Sequence, residues 1–153
     1  MKISGLSTPA LVLDKNLLNA NFEAMNKIIK NTTLKLRPHY KSHKCASLAK
    51  MQIENGAIGM TCAKLSEAED LCDIGIEDIL IANQVVAPEK IRKLADLAKN
   101  CRLTVCVDNK ENISELSLAA KNSGSIIHCL IEFDIGMERC GVVAKEDVLA
   151  LAN

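Results

Sequence analysis

Short apolar, β-branched runs begin near Leu34, Ile58, Ile79, Arg102 and Ile126, at intervals of 21 to 24 residues. Helical patterns with recognisable ends lie between them. Ser66-Glu67-Ala68-Glu69 reads as a capping box ahead of apolar Ala68, Leu71 and Cys72, with Gly75 to stop the helix. Pro88 occupies a first helical position, after which Ile91, Leu94, Ala95 and Ala98 form one apolar face. Asn109 or Lys110 opens a helix carrying Ile113, Leu116 and Ala120, closed near Gly124. Ahead of these, Asp14 caps a helix whose Leu18, Phe22, Met25 and Ile29 keep one face.

Strands separated by single helices require right-handed crossovers and so build a parallel sheet. Spacing this short and regular fits a (β/α)8 TIM-type barrel better than a doubly wound sheet, and no strand is followed by GxGxxG. Five strands are counted and closure needs eight. The expected fold is therefore α/β, the N-terminal part of a barrel truncated before it closes. Its core must come from Leu, Ile, Val, Ala, Met and Cys, since aromatics are only 2% of the 153 residues.

Nineteen basic residues balance nineteen acidic ones, which argues against a nucleic-acid or polybasic membrane surface. No apolar run reaches the length that spans a bilayer. The opening "MKISGLSTPALVLD" reads as no signal peptide. Seven cysteines (45, 62, 72, 101, 106, 129 and 140) contain no CxxC pair and fall mostly in apolar runs. They read as buried free thiols of a cytoplasmic protein rather than as a disulfide framework or zinc cluster.

Alternation places function on one sheet face. Leu103, Val105 and Val107 oppose Thr104, Cys106 and Asp108. Ile127, Cys129 and Ile131 oppose His128, Leu130, Glu132 and Asp134, and Leu34 and Leu36 oppose Arg37, His39 and Lys41. With helices outside, the polar parity points inward, so Lys41, Asp108 and Asp134 fall near carboxyl ends of strands, where barrel enzymes keep their chemistry. For Asp108 the plainer alternative is a solvated strand end.

"RPHYKSHKC", Arg37 to Cys45, crowds five basic side chains at a strand-to-helix junction in a chain of zero formal net charge. Neighbouring cations and partial burial would disfavour an ammonium at Lys41. A neutral amine there would form a Schiff base with a carbonyl substrate or pyridoxal phosphate. An anion-holding or structural lysine is the alternative.

"TPALVLD", "LRPHYKSHKC", "DILIANQVV" and "IEFDIGMERCGV" occur in the order seen in pyridoxal-phosphate enzymes of the alanine-racemase barrel type. The chain most resembles their D-threonine aldolase and D-serine dehydratase branch, along essentially its whole length. "RPHxKxHK" is the specific signature and "GMxRCG" the second anchor. The resemblance implies a lyase acting on small D-amino acids, with Lys41 holding the cofactor and Lys44 not doing so. It implies that Arg139 lies beside the cofactor's phenolic oxygen, where a salt bridge to Asp134 or Glu132 is the alternative. His39 and Arg37 are expected as inward supporting groups.

The resemblance also implies a longer protein. Related enzymes are more than twice this length, with a β-rich second domain and a metal-binding His and Cys beyond this chain, which itself supplies no metal ligand. Residues 1–153 would be a partial barrel domain, residues 1–13 a strand of that second domain, and the protein a homo-oligomer, such as a dimer. The chain is expected to be a fragment, with a self-pairing half-barrel as the other reading. Alternative functions are an amino-acid racemase, a non-catalytic pyridoxal-phosphate-binding barrel, and an assembly module without cofactor.

Overall fold

The computed structural model describes residues 5–153, which fall into two units, one running through Lys35 and the other from Leu36 to Asn153. In the first, helix α1 spans Lys15–Ile29. Asp14 caps it as expected, its Oδ1 accepting from the Asn16 and Leu17 amides at 2.8 and 3.1 Å. Residues 5–13 form no ladder and expose Leu11, Val12 and Leu13. Residues 1–4 of the expected N-terminal strand lie outside the described residues.

The second unit alternates helix and strand: α2 (Ala46–Glu54), β1 (Met60–Cys62), α3 (Leu65–Asp73), β2 (Asp78–Ile81), α4 (Pro88–Leu97), β3 (Arg102–Val107), α5 (Lys110–Ser123), β4 (Ile127–Ile131) and α6 (Lys145–Ala152). The four strands pair in parallel in the order β1-β2-β3-β4. This is the α/β half-barrel that the repeat predicts, with one correction. The run from Leu34 to Lys41 is not a fifth laddered strand. It lies beside β1 through Ile58 N–H to the Leu36 carbonyl (3.0 Å), Thr61 N–H to the Pro38 carbonyl (2.7 Å) and a single His39–Thr61 bridge. Pro38 has no N–H to give, so a continuous ladder cannot form there.

Met60, Cys62, Ile79, Ile81, Leu103, Val105 and Val107 are fully buried and pack with Leu71, Leu94 and Leu116 of α3, α4 and α5. The apolar parity therefore faces the helices, as the alternation requires. Across the sheet, His39, Thr61, Leu80, Thr104 and His128 stand in register as one row of the opposite face.

Helix ends follow the sequence, with one shift. Pro88 opens α4, Asn109 caps α5 by accepting from the Asn112 amide at 3.0 Å, and Gly124 closes α5 in the left-handed region at φ 69°. The capping box at Ser66 is displaced: α3 starts after Lys64, and Glu67 instead accepts from the Ala63 amide at 2.8 Å. Only two residues separate β1 from α3, so the carboxylate in the first turn reaches back to the orphaned strand-end amide.

Candidate active site

The basic stretch divides between the two ends of the half-barrel. Arg37 sits at the amino-terminal end, where its guanidinium grips Asp78, the first residue of β2. Arg37 faces inward with Leu80, Thr104 and His128, as expected, but its guanidinium is taken up by Asp78. Gly59 makes the reach possible, because a Cβ there would collide with Arg37 Nη1 and the Asp78 carbonyl.

His39 and Lys41 lie at the other end. Residues Tyr40–Ser42 turn through one 3-10 helix that His39 caps, its Nδ1 accepting from the Lys41 amide at 3.3 Å. Lys41 is thus on a turn just past the bridged segment, and it is exposed. The partial burial expected for it is not found. The crowding acts on His39 instead: burial first, and then the charge of Lys41, hold its imidazole below the ordinary range against an opposing pull from Glu67.

The following lysine has other work. Lys44, with φ 46°, places its ammonium 3.8 Å from the buried carboxylate of Glu67. His43 accepts the Cys45 amide at Nδ1 (3.1 Å) and meets Gln52 Oε1 at Nε2 (3.2 Å), which fixes the ring edge-on to buried Tyr40. Among the described residues, Lys41 Nζ and the Arg139 guanidinium have no hydrogen-bond or ion-pair partner, so the alternative of an Arg139 salt bridge to Asp134 or Glu132 is not what forms.

Beyond the carboxyl ends of β2, β3 and β4, three side chains converge. Gln84 Nε2 donates to Asp108 Oδ2 at 2.9 Å and to Glu132 Oε2 at 2.7 Å. Asp108 is therefore not a solvated strand end. The same Asp108 oxygen accepts the Gly141 amide at 3.0 Å, and Glu132 Oε1 accepts the Cys140 thiol at 3.1 Å. Asp134 turns back on its own loop, its Oδ1 taking the Gly136 and Met137 amides at 2.8 Å each. Beneath them Cys106 is pushed up to about 11 by burial, with Glu132, Cys140 and Asp108 adding to it.

Sequence reasoning had not singled out Gln84, and it named Glu132 only as an inward residue and as an alternative partner for Arg139. The signal for Gln84 was available, since two steps from Leu80 through Ala82 along the inward parity reach it. All seven cysteines are free, but only Cys62 is buried, so the expectation of buried thiols holds in one case and the rest are half-buried or exposed.

A polar rim thus crosses three strand ends, and Lys41 and Arg139 are without a partner among the described residues. The chain is 43% identical over 151 residues to a D-threonine aldolase of Arthrobacter, covering 99% of this chain and 40% of that protein. It is 40% identical over 155 residues to a 3-hydroxy-D-aspartate aldolase of Paracoccus denitrificans, covering 100% of this chain and 40% of the relative. The crystal structure of D-threonine aldolase from Filomicrobium marinum superposes with a TM-score of 0.94 at 42% identity, over 97% of this chain and 40% of that one. The chain thus spans about 40% of the length of these relatives. The family model for the N-terminal domain of alanine racemase matches residues 13–153, and the chain belongs to that family.

Proposed function

We propose that this chain is the cofactor-holding part of a pyridoxal-phosphate-dependent lyase that acts on small D-amino acids, of the D-threonine aldolase and D-serine dehydratase kind. The observation that carries the reading is the contrast between two lysines three residues apart: Lys44 is committed to Glu67, whereas Lys41 offers an exposed amine without a partner among the described residues. An amine is what an aldehyde cofactor requires.

In this reading Lys41 holds the aldehyde carbon of pyridoxal phosphate, and Arg139 faces its phenolic oxygen. His39 fixes the turn through the Lys41 amide. Because burial and the Lys41 charge disfavour its protonation, His39 stays neutral beside the amine. The bound cofactor supplies an electron sink for negative charge at the amino acid α-carbon. Lys41 Nζ would be the base placed to move a proton at that carbon. The exposed apolar residues Leu11, Val12 and Leu13 support a place for residues 1–13 in the sheet of a second domain. Seven free cysteines fit a reducing cytoplasm. A metal, where relatives need one, would take ligands outside this chain, and the assembled protein would be a homodimer.

Pyridoxal phosphate titrated into the protein should produce a near-visible absorption band, and borohydride reduction should fix the label on the peptide containing Lys41. Lys41→Arg should abolish both, because a guanidinium does not condense with the aldehyde. Label retained in that variant overturns the assignment and points to Lys44. Glycine and acetaldehyde released from D-threonine, or pyruvate and ammonia from D-serine, would identify the lyase. Binding without either product would favour a carrier.

A further inference from the structure

The cluster at the strand ends has a direction. Gln84, Asp108 and Glu132 follow three successive strands, and the two acids that Gln84 bridges turn their other side-chain bonds to one place, the last two residues of the segment Asp134–Gly141 that bears Arg139. The base of that segment is closed by Asp134 N–H to the Val142 carbonyl and Val142 N–H to the Glu132 carbonyl, each at 2.9 Å. Gly141 lies at φ 95°, and a Cβ there would stand 2.9 Å from the Glu132 carbonyl oxygen. The chain can therefore close on the acid pair only with glycine at this position.

We propose that Asp108 and Glu132, tied together by the Gln84 amide, are positioning residues that hold the Arg139 loop in the shape that presents its guanidinium to the cofactor. This deepens the reading of Arg139 given above and rests on it. Two carboxylates set close together ordinarily repel, and here one amide nitrogen, one backbone N–H and one thiol supply the donors that offset the repulsion. Those donors also make the pair a loop anchor. If Asp108 is lost, the Gly141 amide is released. If Glu132 is lost, the Cys140 thiol is released. If Gln84 is lost, the two anchors are uncoupled. Arg139 itself makes no bond that would keep it in place without them.

Two readouts test this, namely amide hydrogen exchange in the protein and its titration with pyridoxal phosphate. Asp108→Ala should speed exchange at Gly141 by about tenfold while Val105, in the middle of β3, exchanges as before. The same variant should weaken cofactor binding and shift its absorption band as Arg139→Ala does. Adding Asp108→Ala to Arg139→Ala should then cost less than about twofold more, because both changes remove one function. Gln84→Leu keeps both acids, serves if Asp108→Ala does not fold, and should give the same pattern in weaker form. Unchanged exchange at Gly141, or full additivity with Arg139→Ala, overturns the proposal. If Arg139→Ala binds the cofactor as the parent does, the functional reading of Arg139 fails, and exchange at Gly141 alone then decides whether the acids anchor the loop.

Discussion

Arg37 meets Asp78 edge to edge, Nη1 to Oδ1 and Nη2 to Oδ2 at 3.0 Å each, with Nη1 also donating to the Asp78 carbonyl at 3.3 Å. The pair spans the run-in to β1, passing over Gly59 and tying the strand-like segment before Tyr40 to β2. It does mechanically what the missing ladder bonds around Pro38 cannot. Both side chains are about three-quarters buried (23% and 26% exposed), so the pair belongs between the negligible surface case and the costly buried one.

Arg37→Ala should therefore lower stability by about 2 kcal/mol, read as a shift of the urea midpoint. Gly59→Ala should cost a similar amount, because its methyl occupies the space of the guanidinium. The two losses should add only in part in the double variant, since removing the guanidinium relieves one of the two collisions and leaves the one with the Asp78 carbonyl. Fully additive losses would mean that the collision with the Asp78 carbonyl alone sets the cost at Gly59.

His39 sets a pH window. Its folded-state pKa lies below the ordinary 6.5, so the unfolded chain takes up the proton first. The contribution of this group is complete above 6.5 and is lost as the pH falls from there through the lowered folded value. Protonation would also place a hydrogen on Nδ1, the atom that now accepts the Lys41 amide. His39→Asn keeps a cap acceptor and removes the titration, so its unfolding free energy should fall less than the parent's between neutral pH and pH about 5. Identical slopes would show that another group governs the window.

Two leucines on neighbouring strands test which face of the sheet is the core. Leu103 of β3 is fully buried against the helices, whereas Leu130 of β4 is half exposed on the opposite face. Leu103→Ala should cost about 3 kcal/mol through lost burial and a residual cavity. Leu130→Ala should cost less than about 1 kcal/mol in the same urea titration. Equal losses would contradict the assignment of faces.

How much the sequence disclosed depended on which forces were local. The strand parity of Leu103, Val105 and Val107, the cap at Asn109 and Pro88 at a first turn were legible because each depends on residues within a few positions. The capping box at Ser66 misled because the helix starts earlier, at Leu65, which puts Glu67 rather than Glu69 at the third helical position, within reach of the strand-end amide of Ala63. Periodicity placed Arg37 and His39 on one face but could not separate the two ends of the barrel. That took Asp78, forty-one residues away. Parity could point to Gln84 as inward but not to its bridge, since its partners lie 24 and 48 residues on, brought near only by the sheet register.

The cysteines give a last prediction, because their chemistry separates by position. Cys62 is fully buried on β1, and burial pushes its thiol up to about 12, with the Glu67 charge adding to this. Cys101 is also pushed up to about 12, by burial first and then by the neighbouring Cys72. Thiolate is the reactive form, so at pH 8 both should be almost entirely protonated and slow towards alkylating reagents. Cys129 of β4 is also raised by burial, yet as a residue it is exposed and a reagent can reach it. Pulse alkylation read by peptide mass spectrometry should therefore label Cys129 well before Cys62 and Cys101, and denaturant should erase the difference. Early labelling of Cys62 in the folded chain would mean that β1 opens locally, which would also loosen the His39–Thr61 bridge that leads into the Lys41 turn.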